Sequence, residues 1–366
     1  MNSAIPIADP VHDRARLAEL AAELAAAPVI GVDTEFMRER TYRPQLCLLQ
    51  LATPARCECV DPLGDIDFEP LRPALSGART VKILHAARQD LEVLWPLFGA
   101  VAPLFDTQVA AALTGLPAQV GYGELVRRLM GVEIDKSHTR TDWSRRPLSA
   151  AQLAYAVDDV RYLPPLRDAL LEQLDRLGRR GWLEEEMQPL ATESSLFVDP
   201  ERAHERLKGL QELDPDRQRL ARLLAAWRER RASDRNRPRT WILDDAGLRA
   251  ILTAAPRSAA ALQALPELVA GFVENSGADV LRVVAEAGLP ARLPPMPGRP
   301  RPDPVFTDCV KKLGTVVRDA AAQLALAPEL LATRRDLEQV ARGERGAPPL
   351  LGWRRAVVGD ALLAAL

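Results

Sequence analysis

Val29-Ile30-Gly31-Val32-Asp33-Thr34-Glu35-Phe36 is an apolar run that turns acidic at its end. Such a run reads as a buried strand delivering carboxylates to a site. Residues two apart on an extended strand share a face, so Asp33 and Glu35 project together while Thr34 points away. A lone Asp-x-Glu is an ordinary acidic strand end. Acids that close a buried strand need a partner charge, however, because an isolated buried carboxylate is costly.

Two later segments carry more acid. In His85-Ala86-Ala87-Arg88-Gln89-Asp90 a strand end passes into a helix, and Asp90 falls in its first turn, where the helix N-terminus stabilises a carboxylate. His85 reads either as a substrate contact or as a satisfied structural histidine. In Tyr155-Ala156-Val157-Asp158-Asp159 the helical spacing stacks Tyr155 and Asp159 one turn apart, with Asp158 a competitor for the same role. A phenol beside a metal-bound carboxylate orients, or helps deprotonate, an attacking water. Asp33, Glu35, Asp90 and one acid of the third segment make enough carboxylates for two divalent cations. Two cations about 3.5–4 Å apart serve phosphodiester hydrolysis.

The remaining composition narrows the choice of metal. Four scattered histidines and four cysteines without a CxxC pair exclude the usual zinc spacings, so the donors are oxygen and the expected ions are Mg²⁺ or Mn²⁺. The same cysteine usage suggests reduced thiols and a cytoplasmic protein. Acids interrupt any apolar leader near the N-terminus, and the longest uncharged run, 107–123, contains glycines and a proline unsuited to a bilayer. The net charge of −2 excludes a uniformly basic coat, so any nucleic-acid surface must be local.

The first half of the 366 residues alternates strand and helix patterns. Strands are expected at 29–36, 45–52, 57–61, 80–85 and 104–106, the first three as an antiparallel meander because their connections are short. Helices are expected at 17–27, 87–98, after 107, and over 149–177, where Pro164-Pro165 ends or kinks the last one. Together these describe an α/β domain with a mixed sheet. Beyond residue 210 strand signals stop. Helices at 218–231, 248–253, 258–264, 266–274 and 279–287 precede a segment, 290–304, in which seven of fifteen residues are proline. That segment should be extended and semi-rigid. A second helical set follows at 306–325, 328–343 and 353–366.

The segments Asp33-Thr34-Glu35-Phe36-Met37-Arg38-Glu39-Arg40-Thr41-Tyr42, Leu84-His85-Ala86 through Asp90-Leu91-Glu92, and Tyr155 through Asp159 closely resemble the bacterial ribonuclease D family. That family is the tyrosine-type branch of the DEDD 3′→5′ exonucleases. Thr141-Asp142-Trp143-Ser144-Arg145-Arg146-Pro147-Leu148 is similar to the family's loop before the third motif. The resemblance implies a ribonuclease-H-like exonuclease domain over residues 1–195 and two Mg²⁺ or Mn²⁺ ions. It implies release of 5′-mononucleotides from RNA 3′ ends, as in tRNA maturation. By position it makes Asp33, Glu35, Asp90 and Asp159 the metal ligands, with Tyr155 aligning the nucleophile, and it selects Asp159 over Asp158.

Residues 210–289 resemble the helical domain shared by helicases and ribonuclease D, HRDC, on the segments Trp227-Arg228-Glu229-Arg230-Arg231 and Arg237-Pro238-Arg239-Thr240-Trp241. Six arginines between Trp227 and Arg239 make this stretch locally basic, and Arg228, Arg231 and Arg237 are its candidate RNA contacts. The other reading is a solvated helix face with two core tryptophans. Residues 305–366 would be a second, degenerate copy. The expected partner is RNA with a 3′ extension, such as a tRNA precursor, and no membrane. A DNA-directed exonuclease of the same superfamily and a non-catalytic RNA-binding protein are the alternatives.

Overall fold

The computed structural model describes residues 9–135, 141–210, 213–269, 271–290 and 303–366. Most of the expected proline-rich linker, 291–302, therefore lies outside the described residues. The chain divides into two compact units. The first comprises Met1–Met37, Gln45–Leu196 and Pro302–Leu366, the second Arg38–Pro44 and Phe197–Arg301.

The first unit is built on a five-stranded sheet. Its strands are β1 (Val29–Met37), β2 (Gln45–Ala52), β3 (Cys57–Val60), β4 (Val81–Leu84) and β5 (Leu104–Asp106), in the spatial order β3-β2-β1-β4-β5. The meander β1-β2-β3 is antiparallel, whereas β4 runs parallel to β1 and β5 parallel to β4. Brief turns allow the first arrangement, and the helix Arg88–Phe98 supplies the crossover that the second requires. The parallel strands end on one edge, where ligands of open α/β sheets bind. Asp33 and Glu35 close β1 there, and Asp90 opens the helix after β4.

Both faces of the sheet are covered. The helices Ala150–Arg161 and Leu163–Leu177 lie against β1 on the face shared by Gly31, Asp33 and Glu35. A Cβ on Gly31 would stand 3.0 Å from the Val160 carbonyl oxygen and 3.2 Å from Leu163 Cβ, so glycine permits this close approach. The helical run over 149–177, expected to end or kink at Pro164-Pro165, breaks at Tyr162, and the two prolines sit in the first turn of its second half, where missing N–H groups cost nothing. A capping box between Ser149 and Gln152 starts the first half.

Three helical expectations are corrected. Residues 328–343 form two helices, Pro328–Leu331 and Arg334–Ala341, because Ala332 is extended and Thr333 starts a new capping box with Asp336. The segment 266–274 is no single helix; its described end enters a π segment, Val273–Gly277, that runs into Ala278–Glu286. Likewise 353–366 passes from Gly352–Arg354 through a π segment, Arg355–Gly359, into Asp360–Ala364.

The second unit packs Leu220, Leu224, Leu248, Ile251, Phe272 and Val280 into a core of its own. Its HRDC-like helices run Pro215–Asp234, Arg239–Ile242, Asp245–Ala254, Ala259–Gln263, the π segment and Ala278–Glu286. The order of long helix, one-turn helix, capped helix, short helical turns, π segment and final helix recurs over Pro304–Leu324, Pro328–Leu331, Arg334–Ala341, the turns Pro348–Leu350 and Gly352–Arg354, Arg355–Gly359 and Asp360–Ala364. This later set belongs to the unit of the sheet. Trp353 stacks on Trp182 at 4.4 Å, its Nε1 donates to Glu186 (2.8 Å), and its backbone N–H donates to Glu185 (2.8 Å). Arg179, buried, donates to the carbonyls of Leu113 and Leu324, so it ties both parts together. Among the described residues no helix is long and apolar enough to cross a membrane.

Candidate active site

One carboxylate oxygen each from Asp33, Glu35 and Asp159 falls within 4.8 Å of the others. The strand alternation brings the first two to one face, and the helix Ala150–Arg161 lowers Asp159 onto that face. Asp158 turns elsewhere: it pairs with Arg161 at 2.9 Å. The helix therefore separates the two adjacent acids.

Asp90 reaches the same edge from the opposite face of β1. Thr34, whose side chain alternates away from Asp33 and Glu35, donates its hydroxyl to Asp90 Oδ1 at 2.5 Å. The intervening residue of Asp-Thr-Glu thus holds the fourth acid. Behind Asp90 the chain makes a sharp turn, with Ala86 at a positive φ of 56°. Asp106 secures it, accepting from the N–H groups of Ala86 (3.1 Å) and Ala87 (2.8 Å) while also capping the next helix through Gln108 and Val109. Neither Thr34 nor Asp106 was singled out by sequence reasoning. A Ser, Thr or Asp between or beside acids is the only signal that would have found them.

Tyr155 donates its phenol to the Asp159 carboxylate, the contact expected for positions one helical turn apart. Its ring lies against Trp143, with centroids 6.0 Å apart. Trp143 is buried and belongs to the loop before the helix. Arg146 fastens that loop to the sheet: Nε and Nη2 clasp Asp61 (2.5 and 2.7 Å), and Nη2 also donates to the Cys47 carbonyl at 2.6 Å.

Burial raises the proton affinity of all four acids, and for Asp33 and Glu35 the neighbouring acids add to it. Burial, with the charges of Asp90, Asp159 and Glu35, drives Asp33 well above the usual carboxylate range. Burial, then Asp159 and Asp90, lifts Glu35 to about 8. Asp90 rises to about 7 through burial, opposed by the Thr34 hydrogen bond. Asp159 rises to about 6 by burial, opposed by Tyr155. Repulsion of this kind is relieved by a cation, and an all-oxygen donor set fits a hard divalent ion.

The remaining candidates are placed differently. His85 has both ring nitrogens engaged internally, Nδ1 with the Thr107 hydroxyl (2.9 Å) and Nε2 with the Val120 carbonyl (3.0 Å), so it serves the scaffold and is not turned to a ligand. Arg228 is buried and donates to the Leu243 carbonyl (3.1 Å) and to Asp245 (2.7 Å), which removes it from a binding surface. Arg231 pairs with Asp279 at 3.1 Å and donates to the Asn275 carbonyl. Arg237 is exposed, with its guanidinium 5.8 Å from the ring centroid of Trp241, itself exposed. The basic stretch is thus largely internal bonding, and one arginine–tryptophan pair faces solvent.

A mixed sheet carrying an Asp-x-Glu strand end, an acid opening the next crossover helix and a Tyr-x-x-x-Asp helix defines a 3′→5′ exonuclease of the DEDD class. Residues 9–175 match the family model described as 3′-5′ exonuclease, and residues 217–284 match the HRDC domain. The chain is 40% identical to ribonuclease D of Nitrobacter hamburgensis, covering 97% of this chain and 94% of that protein. It is 42% identical to ribonuclease D of Gluconacetobacter diazotrophicus, covering 93% and 88%. The crystal structure of Escherichia coli RNase D, an exoribonuclease involved in structured RNA processing, matches with a TM-score of 0.87 at 31% identity over 97% of each chain. The chain belongs to the ribonuclease D family. It is a 3′→5′ exoribonuclease that uses divalent metal and acts on RNA.

Proposed function

We propose that this enzyme trims 3′ extensions from structured RNA, tRNA precursors above all, releasing 5′-mononucleotides in the cytoplasm. Two divalent cations, Mg²⁺ or Mn²⁺, would be held by Asp33, Glu35, Asp90 and Asp159. The observation that carries this reading is the convergence of carboxylate oxygens from Asp33, Glu35 and Asp159 on one edge of the sheet. When bound, the cations neutralise phosphate charge and ease deprotonation of the attacking water.

The chain's own residues do the rest. Thr34 fixes the orientation of Asp90. Tyr155, braced by Trp143, holds Asp159 and places its phenol where it orients the water. Away from the site, the exposed Arg237–Trp241 pair offers a phosphate contact beside a stacking surface. The repeated order of helices supports reading 305–366 as a second HRDC-like copy, beside the first at 210–289.

A direct assay compares 3′-extended tRNA, linear RNA and single-stranded DNA, each with Mg²⁺ and with EDTA. The expected result is Mg²⁺-dependent release of mononucleotides from the tRNA extension, lost in a folded Asp159→Ala variant. Preference for DNA, or a precursor left uncut, would contradict the reading.

A further inference from the structure

Beside the acids lies a buried polar side chain whose amide is unpaired among the described residues. Gln50 lies in the middle of β2 and is 0% exposed, yet neither its Oε1 nor its Nε2 has a hydrogen-bond partner among the described residues. Buried carboxamides are nearly always satisfied, so an orphan with both ends open calls for a partner that arrives later. The register places the orphan beside one of the acids. Gln50 stands directly opposite Asp33 on β1 and Cys59 on β3, so the three side chains form a row across one face of the sheet. Directly opposite residues have Cβ atoms about 4.5–5.5 Å apart, within reach of a glutamine side chain. The helix Ala150–Arg161, which carries Asp159, covers this row against β1, β2 and β3.

We propose that Gln50 is a positioning residue for the metal site, its Nε2–H donating to the Asp33 carboxylate once cations are bound. The inference rests on the metal-dependent reading above. A bound cation fixes Asp33 as an ionised acceptor, and oxygen lone pairs turned away from the cation need a donor. Cys59, the other cross-strand neighbour of Gln50, offers only a weak thiol, so within the row Asp33 is the strong partner within reach of the amide. Groups that orient metal ligands in this way change metal affinity by about 10–100-fold when removed. This role also explains why a polar residue persists in a strand otherwise filled by Leu46, Leu48, Leu49 and Leu51.

The test is calorimetric titration of full-length wild type and Gln50→Leu with Mn²⁺, alongside thermal melts in EDTA and steady-state kinetics on RNA. A leucine fills similar volume and removes the orphan amide. The metal-free variant should therefore melt at or above the wild-type temperature, while Mn²⁺ affinity falls about 10-fold or more. Its kcat should fall with KM for RNA unchanged. A stable variant with wild-type Mn²⁺ affinity and kcat overturns the proposal. If wild type itself binds no Mn²⁺, the metal reading fails instead, so the two failures are distinguishable. Should Gln50→Leu not fold, the wild type still decides: in ¹⁵N-labelled protein the Gln50 side-chain amide resonances should shift on adding Mg²⁺ alone, and their failure to move would be equally contrary.

Discussion

Asp33, Glu35 and Asp159 lie within 4.8 Å of one another and are buried together with Asp90 at the sheet edge, and at the residue scale that burial has a measurable consequence. Asp33, Glu35, Asp90 and Asp159 all bind protons more tightly in the folded chain than in the unfolded one, with Glu35 raised to about 8, Asp90 to about 7 and Asp159 to about 6. The folded state therefore carries the extra protons, and the slope of stability with pH is negative across this range. Their contribution is fully present below about pH 4, the ordinary carboxylate range, and is lost as pH rises through 6 to 8. Metal-free protein in EDTA should lose melting temperature between pH 5 and pH 8.5, and saturating Mg²⁺ should flatten that decline. A melting temperature independent of pH in EDTA would show that the acids are not crowded as described.

At the scale of elements, the site depends on how one loop is fastened. Arg146 joins the loop before Tyr155 to Asp61 and to the Cys47 carbonyl, so the tyrosine and Trp143 inherit their positions from the sheet. Arg146→Ala should destabilise the protein by about 1.5–3 kcal/mol, the usual worth of hydrogen bonds to charged groups. It should also lower kcat, by freeing Tyr155, while leaving Mn²⁺ binding nearly intact; parallel melts and single-turnover kinetics would check this. Strands, the mixed sheet and the acid pair on β1 were legible because period-two alternation is local. The acid of the third segment was legible only as one of two neighbours, until the resemblance selected Asp159; the helix then turns Asp158 to Arg161. Thr34 and Asp106 escaped notice because their importance lies in bonds to the start of the helix after β4, and Gln50 because its place opposite Asp33 is set by strand register, neither of which sequence spacing encodes. Arg228 was overread for the converse reason, and His85 was left between two readings by it: a charge or an imidazole says nothing of whether the fold already occupies it.

At the scale of the whole molecule, the C-terminal helices count as part of the catalytic unit. The sequence suggests a trailing module after a proline-rich segment, but packing between residues far apart in the chain places residues 302–366 with the sheet. Trp353 is central, stacked on Trp182 and bonded to Glu185 and Glu186. Trp353→Ala should cost about 3–5 kcal/mol, typical of removing a buried aromatic. It should lower the melting transition of the exonuclease domain, followed by the near-ultraviolet signal of Trp143 and Trp182. A variant that leaves that transition unchanged would return these helices to the status of an appended module.

The central claim is that Asp33, Glu35 and Asp159 close around a divalent cation at the edge of the sheet. Crystals soaked in Mn²⁺ test it by anomalous scattering. The account predicts a peak at ordinary oxygen-ligand distance from all three carboxylates, with a second beside Asp33 and Asp90. An empty cluster at saturating Mn²⁺, or a peak held by other residues, would contradict it.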